Sequence, residues 1–333
     1  MNTIAIRRGV LRSLAVLAAA SVTALTLNTP VHAQAAYPNK TIRFIVPYAP
    51  GGLPDTVARL VALRLSDRLG QSVVVDNRPG GNGGVAAGVL AASPPDGYQF
   101  LVTDGSMFSI NPLIYSKLTY DPVKDFIPVA LIARAPLFLA VNPKVPPNTL
   151  PEWTAYVKGK PGDLNYGSSG IGSTHHLTME SLKGALNLDI KHIPYKGTGQ
   201  SVPALVGGQV EMLWSAYPSL VGFVKDGRVK LIATNSAQRS SLAPEVPAIA
   251  EVVPGFDFAP IVGILAAAGT PQAIIQKVAQ ETIAVTRQAD AIAAMAAAGI
   301  DPVGGGPEDY ARAIASENER FARAVKAANL KPE

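Results

Sequence analysis

Two glycine-bearing stretches in this chain have the residue types that hold small anions. In Tyr48-Ala49-Pro50-Gly51-Gly52-Leu53-Pro54-Asp55 an apolar run ends in a turn, and the residues that follow recur at helical spacing. Glycine lets backbone approach a ligand closely, and a first helical turn leaves N–H groups unpaired at the positive end of the helix dipole. Asn165-Tyr166-Gly167-Ser168-Ser169-Gly170-Ile171-Gly172-Ser173-Thr174-His175-His176 repeats this logic with added hydroxyls, and Ser173 or Thr174 suits the N-cap. Two more strand ends add polar groups. Lys196, in Tyr195-Lys196-Gly197, can reach an anion in a cleft or stand solvated on a loop, while Trp214 and Ser215 fall where a cleft wall belongs, although a tryptophan there is more often core than ligand platform. Such groups capture a ligand and need no covalent chemistry.

Other chemistries fit less well. Adjacent His175 and His176 point about 100° apart on a helix, whereas paired metal ligands favour i, i+4. A nucleophile elbow over Gly167-Ser168-Ser169-Gly170 needs glycine at position 171, where isoleucine stands. Gly81, Gly83 and Ala86 match a dinucleotide fingerprint, with Asp104 at the next strand's end, so an exported dinucleotide-dependent oxidoreductase is the alternative. Against it, Asn77-Arg78-Pro79-Gly80 separates strand from fingerprint, whereas a nucleotide turn leaves its strand directly. No cofactor is otherwise implied.

The positioning elements alternate. Ile42, Phe44, Ile45 and Val46 read as a parallel strand buried on both faces. Val57, Leu60, Val61, Leu65 and Leu69 line a helix that Pro54 opens and Gly70 closes. Ser72 to Asp76, an alanine-rich helix to about Ala92, and Tyr98 to Thr103 complete a βαβαβ order, hence a parallel sheet with ligand loops at its carboxyl ends. The rhythm changes between Asp121 and Asn142, where Arg134-Ala135-Pro136 splits two apolar runs and marks a crossover. A second alternating set follows: strands near 164–166, 190–194, 210–215 and 229–234, with helices 173–186, 198–207 and 217–225. Thr149 caps the helix around Trp153. Alanine-rich helices at 271–288, 290–298 and 307–328 are expected to pack back on the first domain.

The 333 residues, 48% hydrophobic and 16% charged, suit two well-buried domains. Arg7, Arg8 and Arg12 precede an apolar run and Val31-His32-Ala33, the pattern of a signal peptide cleaved after Ala33 or Ala35. Arg7-Arg8 also resembles a twin-arginine signal. Removing residues 1–33 lowers the formal charge from +5 to +2. With no Lys/Arg cluster interleaved with aromatics, nothing points to nucleic acid. The chain has no cysteine, which excludes disulfides and thiolate chemistry.

The ordered motifs Pro47-Tyr48-Ala49-Pro50-Gly51-Gly52 with Asp55, Asn77-Arg78-Pro79-Gly80, Pro95-Asp96-Gly97-Tyr98, Asn111-Pro112, Tyr120-Asp121-Pro122, Asn165-Tyr166, Gly172-Ser173-Thr174 with His176, Pro194-Tyr195-Lys196-Gly197 and Gly207-Gly208-Gln209-Val210 resemble the extracytoplasmic solute receptors of tripartite tricarboxylate transporters, the Bug receptors. The resemblance spans essentially the whole mature chain. It implies an α/β, type II periplasmic binding protein fold with a twice-crossed hinge: residues 37–138 plus 260–333 as one lobe, 139–259 as the other. It further implies a periplasmic monomer that delivers a small organic carboxylate to membrane permease subunits, or reports it to a signalling partner. By the same resemblance, one carboxylate is held from the first lobe, largely through water, by Tyr48, Pro50, Gly51, Gly52 and Asp55 and by Asp104, Gly105 and Ser106. The second lobe makes direct contacts through Ser168, Ser169, Gly170, Ser173, Thr174, His176 and Tyr195-Lys196-Gly197. Many relatives carry Asp where Ser215 stands, and such a carboxylate can meet a ligand ammonium. Serine there favours a plain mono- or dicarboxylate over an α-amino acid.

Overall fold

The first strand, β1 (Ile42–Val46), lies between parallel neighbours β2 (Val73–Asn77) and β3 (Gln99–Asp104), with Phe44, Ile45 and Val46 fully buried, as its apolar run predicts. The structure is a computed structural model that describes residues 37–330 except 49, 81 and 82. The expected signal peptide lies outside the described residues. Helix α1 (Leu53–Leu69) ends on Gly70 at φ 66°, the left-handed cap expected there. Helix α2 (Gly84–Ala91) returns the chain to β3, and the short helices α3 (Ser106–Ser109) and α4 (Asn111–Ile114) follow.

This sheet is mixed, not parallel throughout. Beside β3 stands antiparallel β10 (Ile261–Ala267), then β4 (Phe126–Arg134) and β11 (Asp301–Gly305), giving the order β11-β4-β10-β3-β1-β2. A strand returning from far along the chain therefore extends, in the antiparallel sense, the sheet that the βαβαβ order made parallel.

The second sheet has the order β7-β6-β8-β5-β9, built from β5 (Leu137–Val141), β6 (Asn165–Ser168), β7 (Lys191–Pro194), β8 (Met212–Ala216) and β9 (Lys230–Thr234). Its helices are α5 (Leu150–Lys158), α6 (Thr174–Leu186), α7 (Thr198–Gly207) and α8 (Tyr217–Lys225). Thr149 caps α5 as expected, its side chain accepting from Glu152 N–H.

The chain changes sheet twice. The first change occurs at Ala135–Pro136, so Leu137 and Phe138, expected in the first lobe, pair in the second sheet. The return runs from β9 to β10. Ala135 N–H donates to the Pro260 carbonyl at 2.9 Å, joining the two crossings. Asn235, fully buried, staples them further: its Oδ1 accepts from Leu137 N–H at 2.8 Å and its Nδ2 donates to the Phe258 carbonyl at 2.8 Å. A buried amide is tolerated because its hydrogen-bonding groups find partners.

Helices α9 (Gln272–Thr286) and α10 (Ala289–Ala297) pack on the first lobe, as expected. The last helix, α11 (Pro307–Ala327), corrects the expectation for 307–328. Tyr310 joins the first lobe's core, but Phe321, Ala324 and Val325 join the second lobe's, with Phe321 edge-on to Phe258. Its length carries it from one core to the other. No helix among the described residues is long and apolar enough to cross a membrane.

Candidate ligand-binding cleft

The two sheets face a cavity of about 380 Å³ that Gly51 and Gly52 line from one side and Thr174 and His175 from the other. A second cavity of about 380 Å³ adjoins it, sharing Asp104, Thr174 and His175 and adding Tyr48, Ser106, Ser169 and Ser173. The two glycine turns thus open onto one crevice.

Four helices begin at this crevice. Gly52 caps α1 with no side-chain acceptor, and Ser173 caps α6, its Oγ accepting from His176 N–H at 3.2 Å. Thr198 of α7 and Ala216, Pro218 and Ser219 at the start of α8 complete the wall. Each start presents unpaired N–H groups and the positive end of a dipole. Convergence of four makes the cleft receptive to negative charge without a Lys or Arg side chain in either lining.

Several expected residues shape the cleft from behind. Asp55, 2% exposed, accepts from Gly51 N–H at 2.9 Å, Arg59 Nε at 3.0 Å and Asn77 Nδ2 at 2.8 Å, so its carboxylate holds the turn instead of facing the cavity. Burial alone would raise its pKa; the bonds from Arg59, Gly51 and Asn77 outweigh this and hold it below the ordinary value. Gly105 is needed for packing, since a Cβ there would overlap the Glu317 carboxyl of α11. Ser168 is buried, its Oγ 2.6 Å from His192 Nε2 and within reach of Gly170.

His176 is also buried, and this corrects its expected role. Its Nδ1 accepts from Gly172 N–H at 3.1 Å, and its ring stacks on His192 with centroids 4.0 Å apart. The neighbouring His175 faces the cleft, with Nδ1 2.7 Å from Ser169 Oγ. Burial lowers its pKa to about 4, so at neutral pH it is an uncharged imidazole. A helix turns about 100° per residue, so only one of the pair can point into the crevice.

Tyr195, Lys196 and Gly197 do not line either cavity, and Lys196 is exposed; Thr198, one residue on, takes the place expected of them. Trp214 belongs to the second lobe's core, whereas Ser215, on the opposite face of β8, lines the cavity. The Ser215 Oγ is buried and has no hydrogen-bond partner among the described residues. Thr56, Ser219 and the Ala298-Gly299-Ile300 turn, none of which the sequence singled out, complete the lining.

On the first-lobe side, Tyr48 OH donates to Asp104 Oδ1 at 3.1 Å and lies 2.9 Å from Ser106 Oγ. Burial, then the nearby Asp104 carboxylate, pushes the Tyr48 hydroxyl well above its usual pKa, so it stays a donor. The dinucleotide alternative has no support here. Gly83 is packed against the Met107 side chain, where a Cβ would come within 2.7 Å, Ala86 is fully buried, and Asp104 belongs to the interlobe cleft; Gly81 lies outside the described residues.

Two α/β lobes, crossed twice by the chain, with helix starts gathered around a cleft between them, define the type II periplasmic binding protein fold. The chain belongs to the receptor family of the tripartite tricarboxylate transporters, the Bug receptors: residues 57–330 match the family model described as "Tripartite tricarboxylate transporter family receptor". It is 33% identical to protein BugT of Bordetella pertussis over 297 residues, 89% of this chain and 91% of BugT. Among solved structures it is similar to Rpa4515 of R. palustris with adipate, at TM-score 0.79 and 33% identity over 89% of this chain and all of that one. It is also similar to MatC from Rhodopseudomonas palustris with bound malate, at TM-score 0.72 and 31% identity over 87% of this chain and all of that one.

Proposed function

We propose that this protein is a periplasmic receptor that captures a small organic carboxylate in the interlobe cleft and delivers it to the permease of a tripartite tricarboxylate transporter. The observation that carries the reading is the meeting of four helix N-termini and the unpartnered Ser215 hydroxyl around one cavity. Adipate and malate in two similar proteins support the ligand class. A micromolar site needs about 8 kcal/mol, and hydrogen bonds to a charged group supply roughly 1.5–3 kcal/mol each. Four or five such bonds suffice after the cost of association. A lobe pair that closes on its ligand presents a surface the permease can distinguish from that of the empty protein.

The test is mass spectrometry of protein purified under native conditions, followed by thermal unfolding against a panel of organic acids. A ligand at a hundred times its dissociation constant adds about 2.7 kcal/mol of stability. Retention of an acid, or a melting shift with one, is expected; no shift with any acid would sink the reading. Uptake of that acid by cells lacking the cognate permease then separates delivery from a signalling role.

A further inference from the structure

We infer that the captured carboxylate also carries a protonated amine, and that Asp104 is the residue that selects it. This rests on the receptor reading above. Among the described residues, Asp104 is the one charged side chain that lines the two cavities, and it lines both. The remaining polar lining consists of hydroxyls, helix starts and the neutral His175 imidazole.

The carboxylate is held by one oxygen. Its Oδ1 accepts from Tyr48 OH, from Ser106 N–H at 3.1 Å and from Ser106 Oγ. Its Oδ2 has no donor among the described residues and is left for the occupant of the cleft. The groups around Asp104 supply no counter-charge. Tyr48 and Ser106 are neutral donors, and beneath lie Tyr310 and Glu317 of α11, both neutral at pH 7: burial holds the tyrosine well above its usual pKa and lifts the glutamic acid to about 8. Arg134 is bound to Asp257 at 2.8 Å, away from the cavity lining. Burial accordingly raises the Asp104 pKa against the hydrogen bonds that favour its charged form.

A cation placed at Oδ2 relieves this penalty, whereas a second carboxylate brings like charge into a cleft without a cationic side chain. The helix starts and Ser215 take the ligand's carboxylate; Asp104 takes its ammonium. Serine at 215 therefore does not leave the cleft without an acid, because Asp104 lines the same cavity.

The experiment is calorimetric titration of the full mature protein at pH 7.5 with matched pairs that exchange a carboxylate for an ammonium: glutarate and 4-aminobutyrate, adipate and 5-aminovalerate, with aspartate and glutamate beside succinate. The expected result is that the tightest ligand bears an amine. Asp104→Asn should weaken that ligand at least tenfold while plain acids bind the variant as well as or better than the wild type. Asp104→Ser, with melting curves for both variants, guards against a folding defect. Plain dicarboxylates binding tighter than every amine-bearing partner would overturn the inference. So would amine affinity that survives in both variants. Tightening of dicarboxylates from pH 8 to 5, abolished in Asp104→Ser, would make Asp104 a protonated donor instead. Failure of every acid, with or without an amine, removes the receptor reading itself.

Discussion

A Cβ on Gly299 would lie 2.3 Å from Cδ of Pro218, so the α10–β11 turn of one lobe and the start of α8 in the other touch with no space for a side chain. At the other rim, Gly172 of the second lobe meets Ile114 of the first, where a Cβ would fall 2.7 Å from Cδ1. Both glycines have positive φ, 72° and 73°, which also favours glycine. Their lack of side chains lets the lobes meet.

Gly299→Val is therefore expected to wedge the lobes apart. Ligand affinity should fall at least tenfold, and small-angle scattering should show a larger radius of gyration that ligand no longer reduces. The positive φ adds a stability cost of about 1 kcal/mol. Unchanged affinity and an unchanged radius would show that this contact does not limit closure.

Asp55 ties the Gly51–Gly52 turn to Arg59 and Asn77, and Asp55→Ala should cost about 2 kcal/mol by removing the acceptor of the Gly51 N–H, the Arg59 partner and one of the two Asn77 amide bonds, the other, to the Tyr48 carbonyl, remaining. Its folded pKa lies below the unfolded value of 3.8, so its contribution is complete above that value and disappears as pH falls through the folded one. Denaturant titrations should show the wild type and the variant converging below about pH 4.

Glu317 has the opposite sign. Its pKa rises from 4.5 to about 8, first by burial and then, after the opposing Ser109 hydrogen bond, by the nearby Asp104. The folded state keeps a proton that the unfolded state releases, so stability is greatest below pH 4.5 and is lost as pH rises toward 8, by roughly 5 kcal/mol at most. Glu317→Gln should match the wild type near pH 4 and exceed it at pH 8. Parallel stability curves across that range would refute the assignment.

Asn235 holds both crossings through its side chain. Asn235→Leu leaves Leu137 N–H and the Phe258 carbonyl without those partners in a buried site, at a cost of about 2–4 kcal/mol. Urea unfolding measures that loss. Because the same residue joins the hinge strands, hydrogen exchange at Leu137 and Phe258 should accelerate more than in the two sheet centres.

What the sequence determined was local. The buried run of β1, the Gly70 and Ser173 caps and the span of α7 each follow from residues a few positions apart, whose backbone hydrogen bonds close within one element. The family motifs likewise mark the turns that bear the cleft. The tertiary structure decided which of those residues face the ligand. His175 and His176 are indistinguishable by type, and the orientation of α6 against His192 buries one and presents the other. Trp214 and Ser215 part because a strand alternates faces. The antiparallel β10, the Asn235 staple and the far half of α11 all depend on partners distant in the chain, and no local pattern specifies a contact whose other half is a hundred residues away.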